Sequence, residues 1–260
     1  MQALKALGQN FLTDPELAAR IAALGDLQPG DRVWEIGSGK GILTEAILQH
    51  EVRLRAFELD RRLPEYLSNR FSDRVDFVFA DVLSCDWPDL IATDGKPLKL
   101  IANIPYQITS PLLSLLEKHG ESFSRIVLML QKEVAMRLSA GPGTKSYGAL
   151  GIRLRVHFEI ELAIQVGREY FEPQPNVDSA VVLMKPREPK PIIKHPDEFG
   201  QIVSIAFAHR RKTLGNNLKE RLGKQRTAIL QQKSSLDFQR RGESLEEAEF
   251  ILLSELMAAL

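Results

Sequence analysis

Short apolar runs of strand length alternate with amphipathic stretches of helix length along most of the chain. Thr13-Asp14-Pro15-Glu16 reads as a helix start, with a capping box from Thr13 to Glu16 and proline early in the first turn; this helix extends to about Leu24. Gln28-Pro29-Gly30 is a turn, and residues 33–36 form a short buried strand that enters Gly37-Ser38-Gly39-Lys40-Gly41. A helix then covers about 42–49. Strands are expected at 52–58, 75–80, 98–103 and 126–130, with helices at 61–71, 110–119 and 131–139. Strands alternating with helices predict a parallel sheet covered on both faces, wound by right-handed crossovers. The stretch 147–166 fits either a strand or a helix followed by a strand, and 177–184 is a clear final strand. Four prolines in 186–196 mark a domain boundary, dividing 1–188 from 189–260, and the pattern beyond is helical.

Composition narrows the class. The 260 residues are 44% hydrophobic and 26% charged, as in a folded globular protein with room for one large or two unequal domains. The single cysteine, Cys85, excludes a disulfide within the chain and a cysteine-rich zinc site; it fits a reducing, cytoplasmic compartment. The five histidines show no ligand spacing, so no metal is expected. No membrane span and no signal peptide are expected either. Net charge is zero, yet residues 1–188 carry 22 basic and 25 acidic side chains while 189–260 carry 12 and 9. Within 209–226, seven basic residues stand against the lone acid Glu220. Arg210, Arg211, Lys212, Lys219 and Arg221 are its candidate phosphate ligands; by itself such a run also describes a solvated helix face. The acidic stretch 243–249 reads as a soluble helix.

The glycine-rich turn after the first strand allows a ligand to approach the backbone, although a tight strand-to-helix connection explains it as well. Its G-x-G-x-G spacing departs from the dinucleotide fingerprint, and Lys40 is followed by Gly41 where a phosphate loop needs Ser or Thr. Glu58, 21 residues beyond Gly37, ends the second strand, where a carboxylate can accept both ribose hydroxyls. Asp81 ends the third. Read singly, Glu58 is a surface acid and Asp81 a turn cap; together the three strand ends form one crevice suited to an adenosine.

The fourth strand ends in Asn103-Ile104-Pro105-Tyr106. As a bare tetrapeptide this is a turn. At a strand tip beside a nucleoside site it suits an exocyclic base amine, whose lone pair is delocalised into the ring. The Asn103 amide oxygen and the Ile104 carbonyl can accept both N–H bonds and draw the nitrogen toward tetrahedral geometry. Pro105 stiffens the loop, and Tyr106 offers a flat face to an extruded base. No strong base is required, because the amine proton becomes acidic once the nitrogen is alkylated.

These residues, with Gly8-Gln9-Asn10-Phe11-Leu12 ahead of them, resemble the ribosomal RNA adenine dimethyltransferases. Leu130-Gln131-Lys132-Glu133-Val134, PGTKSYGAL (142–150), FEPQPNVDSAVV (171–182) and AFAHRRKTL (206–214) are similar to the branch acting on small-subunit rRNA. The resemblance implies a Rossmann-like class I methyltransferase with a seven-stranded, mostly parallel sheet whose last strand is antiparallel, followed by a small helical rRNA-binding domain. It implies S-adenosylmethionine as cofactor, held at Asn10, Leu12, Gly37, Gly39, Glu58, Asp81 and Asn103. It implies dimethylation of two adjacent adenosines in the 3′-terminal hairpin loop of small-subunit rRNA, on an immature subunit, by a monomer. Phe171 matches an aromatic that packs on the target adenine opposite the tyrosine; read bare, it anchors a loop between prolines. Gly215 stands where the family usually has Arg, and only Lys5 precedes Gly8, so RNA contacts are expected to be fewer. Two other readings were open: a large-subunit rRNA methyltransferase of the macrolide-resistance type, against which the PGTKSYGAL and AFAHRRKTL blocks speak, and an assembly factor whose main role is binding the immature subunit.

Overall fold

The computed structural model describes residues 8–260. The weakly basic start around Lys5 lies outside the described residues. Two compact units emerge: one of residues up to Ala135 with Glu159–Pro186, the other of Met136–Phe158 with Arg187–Leu260. This differs from a single boundary at 188/189. Tyr147, Ile152 and Val156 share an apolar cluster with Phe199, Leu218 and Phe250, so the middle of the chain completes the C-terminal core.

In the first unit the elements are β1 (Phe11–Leu12), α1 (Pro15–Ala23), β2 (Arg32–Ile36), α2 (Ile42–Leu48), β3 (Arg53–Phe57), α3 (Pro64–Phe71), β4 (Val75–Val78), α4 (Trp87–Asp94), β5 (Leu98–Asn103), α5 (Thr109–His119), β6 (Phe123–Gln131) and the start of α6 (Lys132–Ser139). After the excursion come β7 (Phe158–Val166), β8 (Phe171–Glu172) and β9 (Ser179–Pro186). Seven strands lie in the order β4-β3-β2-β5-β6-β9-β7. The first five are parallel, and β9 runs antiparallel to β6. Consecutive residues of β2 are buried because both faces are covered. Val33 joins Ile21, Ile47 and Leu67 on one face. Trp34 on the other meets the rings of Phe57, Trp87 and Phe123 edge-on at 5.3–5.6 Å. β1 and β8 form a separate antiparallel ribbon, not anticipated from the sequence, that pairs Leu12 with Phe171.

Several elements differ from expectation for local reasons. The α1 cap is Asp14, whose carboxylate accepts from the Leu17 N–H at 2.7 Å, and Thr13 instead donates its hydroxyl to the Tyr170 carbonyl at 3.0 Å. The helix expected from 61 begins at Pro64, because a proline lacks the N–H that an interior helical position requires. Helix α4 was missed, although Asp86 before Trp87-Pro88 is a cap followed by an early proline; its carboxylate accepts from Asp89 N–H at 3.1 Å. The ambiguous 147–166 resolves into helix α7 (Ala149–Arg155) followed by β7.

The second unit adds α8 (Pro196–Ala208), α9 (Leu214–Ser234, broken at Gly223) and α10 (Glu247–Ala258). Within 243–249 a short 3-10 turn precedes α10, whose capping box joins Glu246 and Glu249. No helix of the described residues is long and apolar enough to cross a membrane.

Candidate active site

β2 is the first of the parallel strands in the chain and lies between β3 and β5, so the winding reverses beside it and opens a crevice at the strands' carboxyl ends. One cleft there is walled by the turn after β2, by Glu58 after β3, by Asp81 after β4 and by Asn103 to Tyr106 after β5. The β1–β8 ribbon brings Asn10, Leu12 and Phe171 to the same cleft. Every residue singled out above for cofactor or base therefore lines a single cavity.

The glycine spacing has a backbone cause. Gly37, Gly39 and Gly41 have φ of 81°, 55° and 82°, so the turn alternates into the left-handed region and needs glycine at every second position. A Cβ on Gly39 would lie 2.9 Å from the Phe11 ring, and one on Gly41 would lie 2.5 Å from Phe71. Gly41 caps α2 directly, which is why position 42 can be isoleucine.

Glu58 is buried and accepts from the Gly39 N–H and the Asp60 N–H, each at 2.8 Å. Burial pushes its carboxyl above the ordinary range, against those two backbone donors. Each oxygen keeps acceptor capacity. Asp81 accepts from the Leu83 N–H through Oδ1 at 2.9 Å, so it does cap a turn. Asn103 turns its amide nitrogen to the Asn10 carbonyl at 3.5 Å, which leaves the amide oxygen to accept. Tyr106 shares a 2.7 Å hydrogen bond with Ser179.

Comparison decides the family. The sequence profile of the ribosomal RNA adenine dimethylases matches residues 1–258. The chain belongs to the ribosomal RNA adenine dimethylase family. It is 45% identical to the ribosomal RNA small subunit methyltransferase A of Geobacter metallireducens, over all of this chain and 97% of that protein. It is 39% identical to the protein of the same description from Lactobacillus delbrueckii, over all of this chain and 92% of that one. A dimethyladenosine transferase from Plasmodium falciparum has a similar structure, with a TM-score of 0.78 and 25% identity over 94% of this chain and 95% of that one. The 23S rRNA methyltransferase ErmE, at 24% identity and a TM-score of 0.73 over 96% of this chain and all of that one, shares the fold.

Against this dimethylase scaffold, several cleft residues went unread in the sequence. Leu59, 48% exposed, and Val82 are apolar walls that directly follow the two strand-end acids. That adjacency is the signal that was available. Asp60 is a buried acceptor rather than a simple turn residue: it takes Gln9 Nε2 at 2.8 Å and Arg62 Nη2 at 2.6 Å. Those donors hold its carboxyl far below the usual range, and Gln9 is thereby fastened beside the cleft. Phe171 is only 4% exposed and packs into the core with Leu12, and it also lines the cleft.

The basic segment of the second unit divides. Arg211, Lys219 and Arg221 are exposed. Lys212 pairs with Glu220 at 2.7 Å. Arg210 donates to the carbonyls of Lys145 and Tyr147, at 2.7 and 3.0 Å, and meets Glu243 at 3.1 Å, which makes it a clamp on the 145–147 loop. Gly215 is buried, and a Cβ there would sit 3.2 Å from Phe238. The departure from Arg is thus matched by a close approach of the 238 backbone, whose carbonyl accepts from Gly215 N–H at 2.9 Å.

Proposed function

We propose that this chain transfers methyl groups from S-adenosylmethionine to the N6 amines of two adjacent adenosines in the 3′-terminal hairpin loop of small-subunit rRNA. It does so in the cytoplasm, as a monomer, on an immature subunit. The observation that carries this reading is the convergence of the glycine turn, two acceptor carboxylates and the Asn103–Tyr106 loop on one cleft at four neighbouring strand ends.

The cleft fits the cofactor. The turn at Gly37 and Gly39 presents backbone without side chains, and the buried Ser38 hydroxyl in the same wall has no partner among the described residues. Glu58 holds the ribose hydroxyls, Asp81 the adenine amine, and Leu59 and Val82 flank the ring. Asn10, Leu12 and the glycine turn line the methionine end. When bound, S-adenosylmethionine supplies an electrophilic methyl group on a sulfonium.

The protein's part is to place and activate the nucleophile. Asn103 Oδ1 and the Ile104 carbonyl accept from the target amine, which localises its lone pair and favours the positive charge that develops on nitrogen. Tyr106 and Phe171 restrain the extruded purine, and rigid positioning supplies much of the acceleration. Arg211, Lys219 and Arg221 hold rRNA by its phosphates, which sets register without reading sequence. Lys212 joins them if its pairing with Glu220 opens.

The test is transfer of labelled methyl from S-adenosylmethionine to purified unmethylated small subunits, with large subunits and naked rRNA as controls. Label confined to N6 of two adjacent adenosines in the small-subunit hairpin is expected. Label on large-subunit rRNA would restore the macrolide-resistance reading, and binding without transfer would favour the assembly factor.

A further inference from the structure

Tyr106 opens the short 3-10 turn (Tyr106–Ile108) that follows Pro105. The ring is half-buried, and its hydroxyl shares a 2.7 Å hydrogen bond with Ser179 Oγ. Ser179 is fully buried and opens β9, where it pairs with Gln131 of β6. The residue before it accepts from the Lys132 N–H at 3.0 Å. The partner of the tyrosine is therefore held at the start of β9, between β6 and β7, by the pairing with β6. Burial also pushes the phenol above its ordinary value, so it stays neutral and able to donate.

The same chain segment reaches the other aromatic of the cleft. Phe171 begins the connection that ends at Ser179, and it is fixed at its own end by pairing with Leu12 in the β1–β8 ribbon. One loop thus carries Phe171 directly and holds Tyr106 through a hydroxyl. We propose that Ser179 is the positioning residue for Tyr106, and that the 171–179 connection sets the width of the slot in which the target purine is held. This rests on the adenine-methylation reading above. Ser179 touches neither cofactor nor base; it acts through the tilt of the tyrosine ring. Loss of the bond lets the ring swing about its χ angles, and the base amine then meets Asn103 and Ile104 out of line.

The experiment compares wild type, Ser179→Ala, Tyr106→Phe and the double variant on unmethylated small subunits, with S-adenosylhomocysteine affinity measured in parallel. Each single variant should lower kcat about tenfold while S-adenosylhomocysteine affinity stays within about twofold. The double variant should lose no more than either single, because both remove one bond. Tyr106→Phe removes a single oxygen and keeps the ring, so it tests the inference even if Ser179→Ala misfolds. A fully active Tyr106→Phe enzyme, or multiplicative losses in the double variant, would overturn it. Failure of the wild-type protein to methylate small subunits would instead sink the reading on which it rests.

Discussion

Glu35 stands two residues before Gly37, the first residue of the glycine turn, fully buried, with one oxygen taking the Thr44 hydroxyl at 2.7 Å and the other without a partner among the described residues. Desolvation pushes its carboxyl from 4.5 to about 8, the Thr44 bond opposing and the Glu58 charge adding to the rise. Its folded-state value thus stands above its unfolded one. The stability it supports is complete below pH 4.5 and drains away as the pH climbs to about 8. At about 1.4 kcal/mol per pH unit, the sheet unit loses about 4 kcal/mol between pH 5 and pH 8 through this one group. Glu35→Gln keeps the acceptor for Thr44 and cannot ionise. The difference in unfolding free energy between variant and wild type should therefore shift by about 4 kcal/mol in the variant's favour over that range. Any constant cost of an unpaired amide cancels in this comparison. The two tryptophans, Trp34 and Trp87, are both buried in the sheet unit, so denaturant unfolding followed by their fluorescence reports this unit. Parallel pH curves for the two proteins would refute the assignment of a neutral carboxyl.

Four further outcomes are expected. Asn103→Ala should abolish methyl transfer to small subunits while leaving S-adenosylmethionine affinity within a few-fold by calorimetry, since on the proposed reading its amide oxygen accepts from the target amine while its nitrogen meets the Asn10 carbonyl. Replacing Arg211, Lys219 and Arg221 together by Ala should reduce the salt dependence of subunit binding by about two counterions. Arg210→Ala should chiefly lower the melting temperature, because its hydrogen bonds hold the 145–147 loop. Gly41→Ala should cost about 3 kcal/mol by the same fluorescence assay, from a strained positive φ and an overlap with Phe71.

The parallel layout was legible because buried strands print as apolar runs and prolines and glycines punctuate them. The cleft was legible because strand ends carry its chemistry: Gly37, Glu58, Asp81 and Asn103 each stand at the end of an expected strand, directly after an apolar residue. What stayed hidden depends on partners distant in sequence. Thr13 reads as a cap until the Tyr170 carbonyl is found 3.0 Å from its hydroxyl. Arg210 reads as one more cation in a basic run until the 145–147 carbonyls surround it. Ser179 is an unremarked strand residue until the Tyr106 hydroxyl arrives from 73 positions away. The place of Phe171 opposite Leu12 follows from a two-residue ribbon too short to leave any periodicity.

The path of the backbone between its two units has a consequence for anyone who would dissect or recombine them. The polypeptide leaves the sheet at 135/136, returns at 158/159 and departs again at 186/187. Truncation at the proline-rich stretch would remove α8, α9 and α10 and strand Tyr147, Ile152 and Val156 with their greasy sides in water. A tail fragment expressed alone would lack those same plugs. Neither piece alone would hold the whole apolar cluster of the second unit, so the two halves of the gene are not interchangeable cassettes.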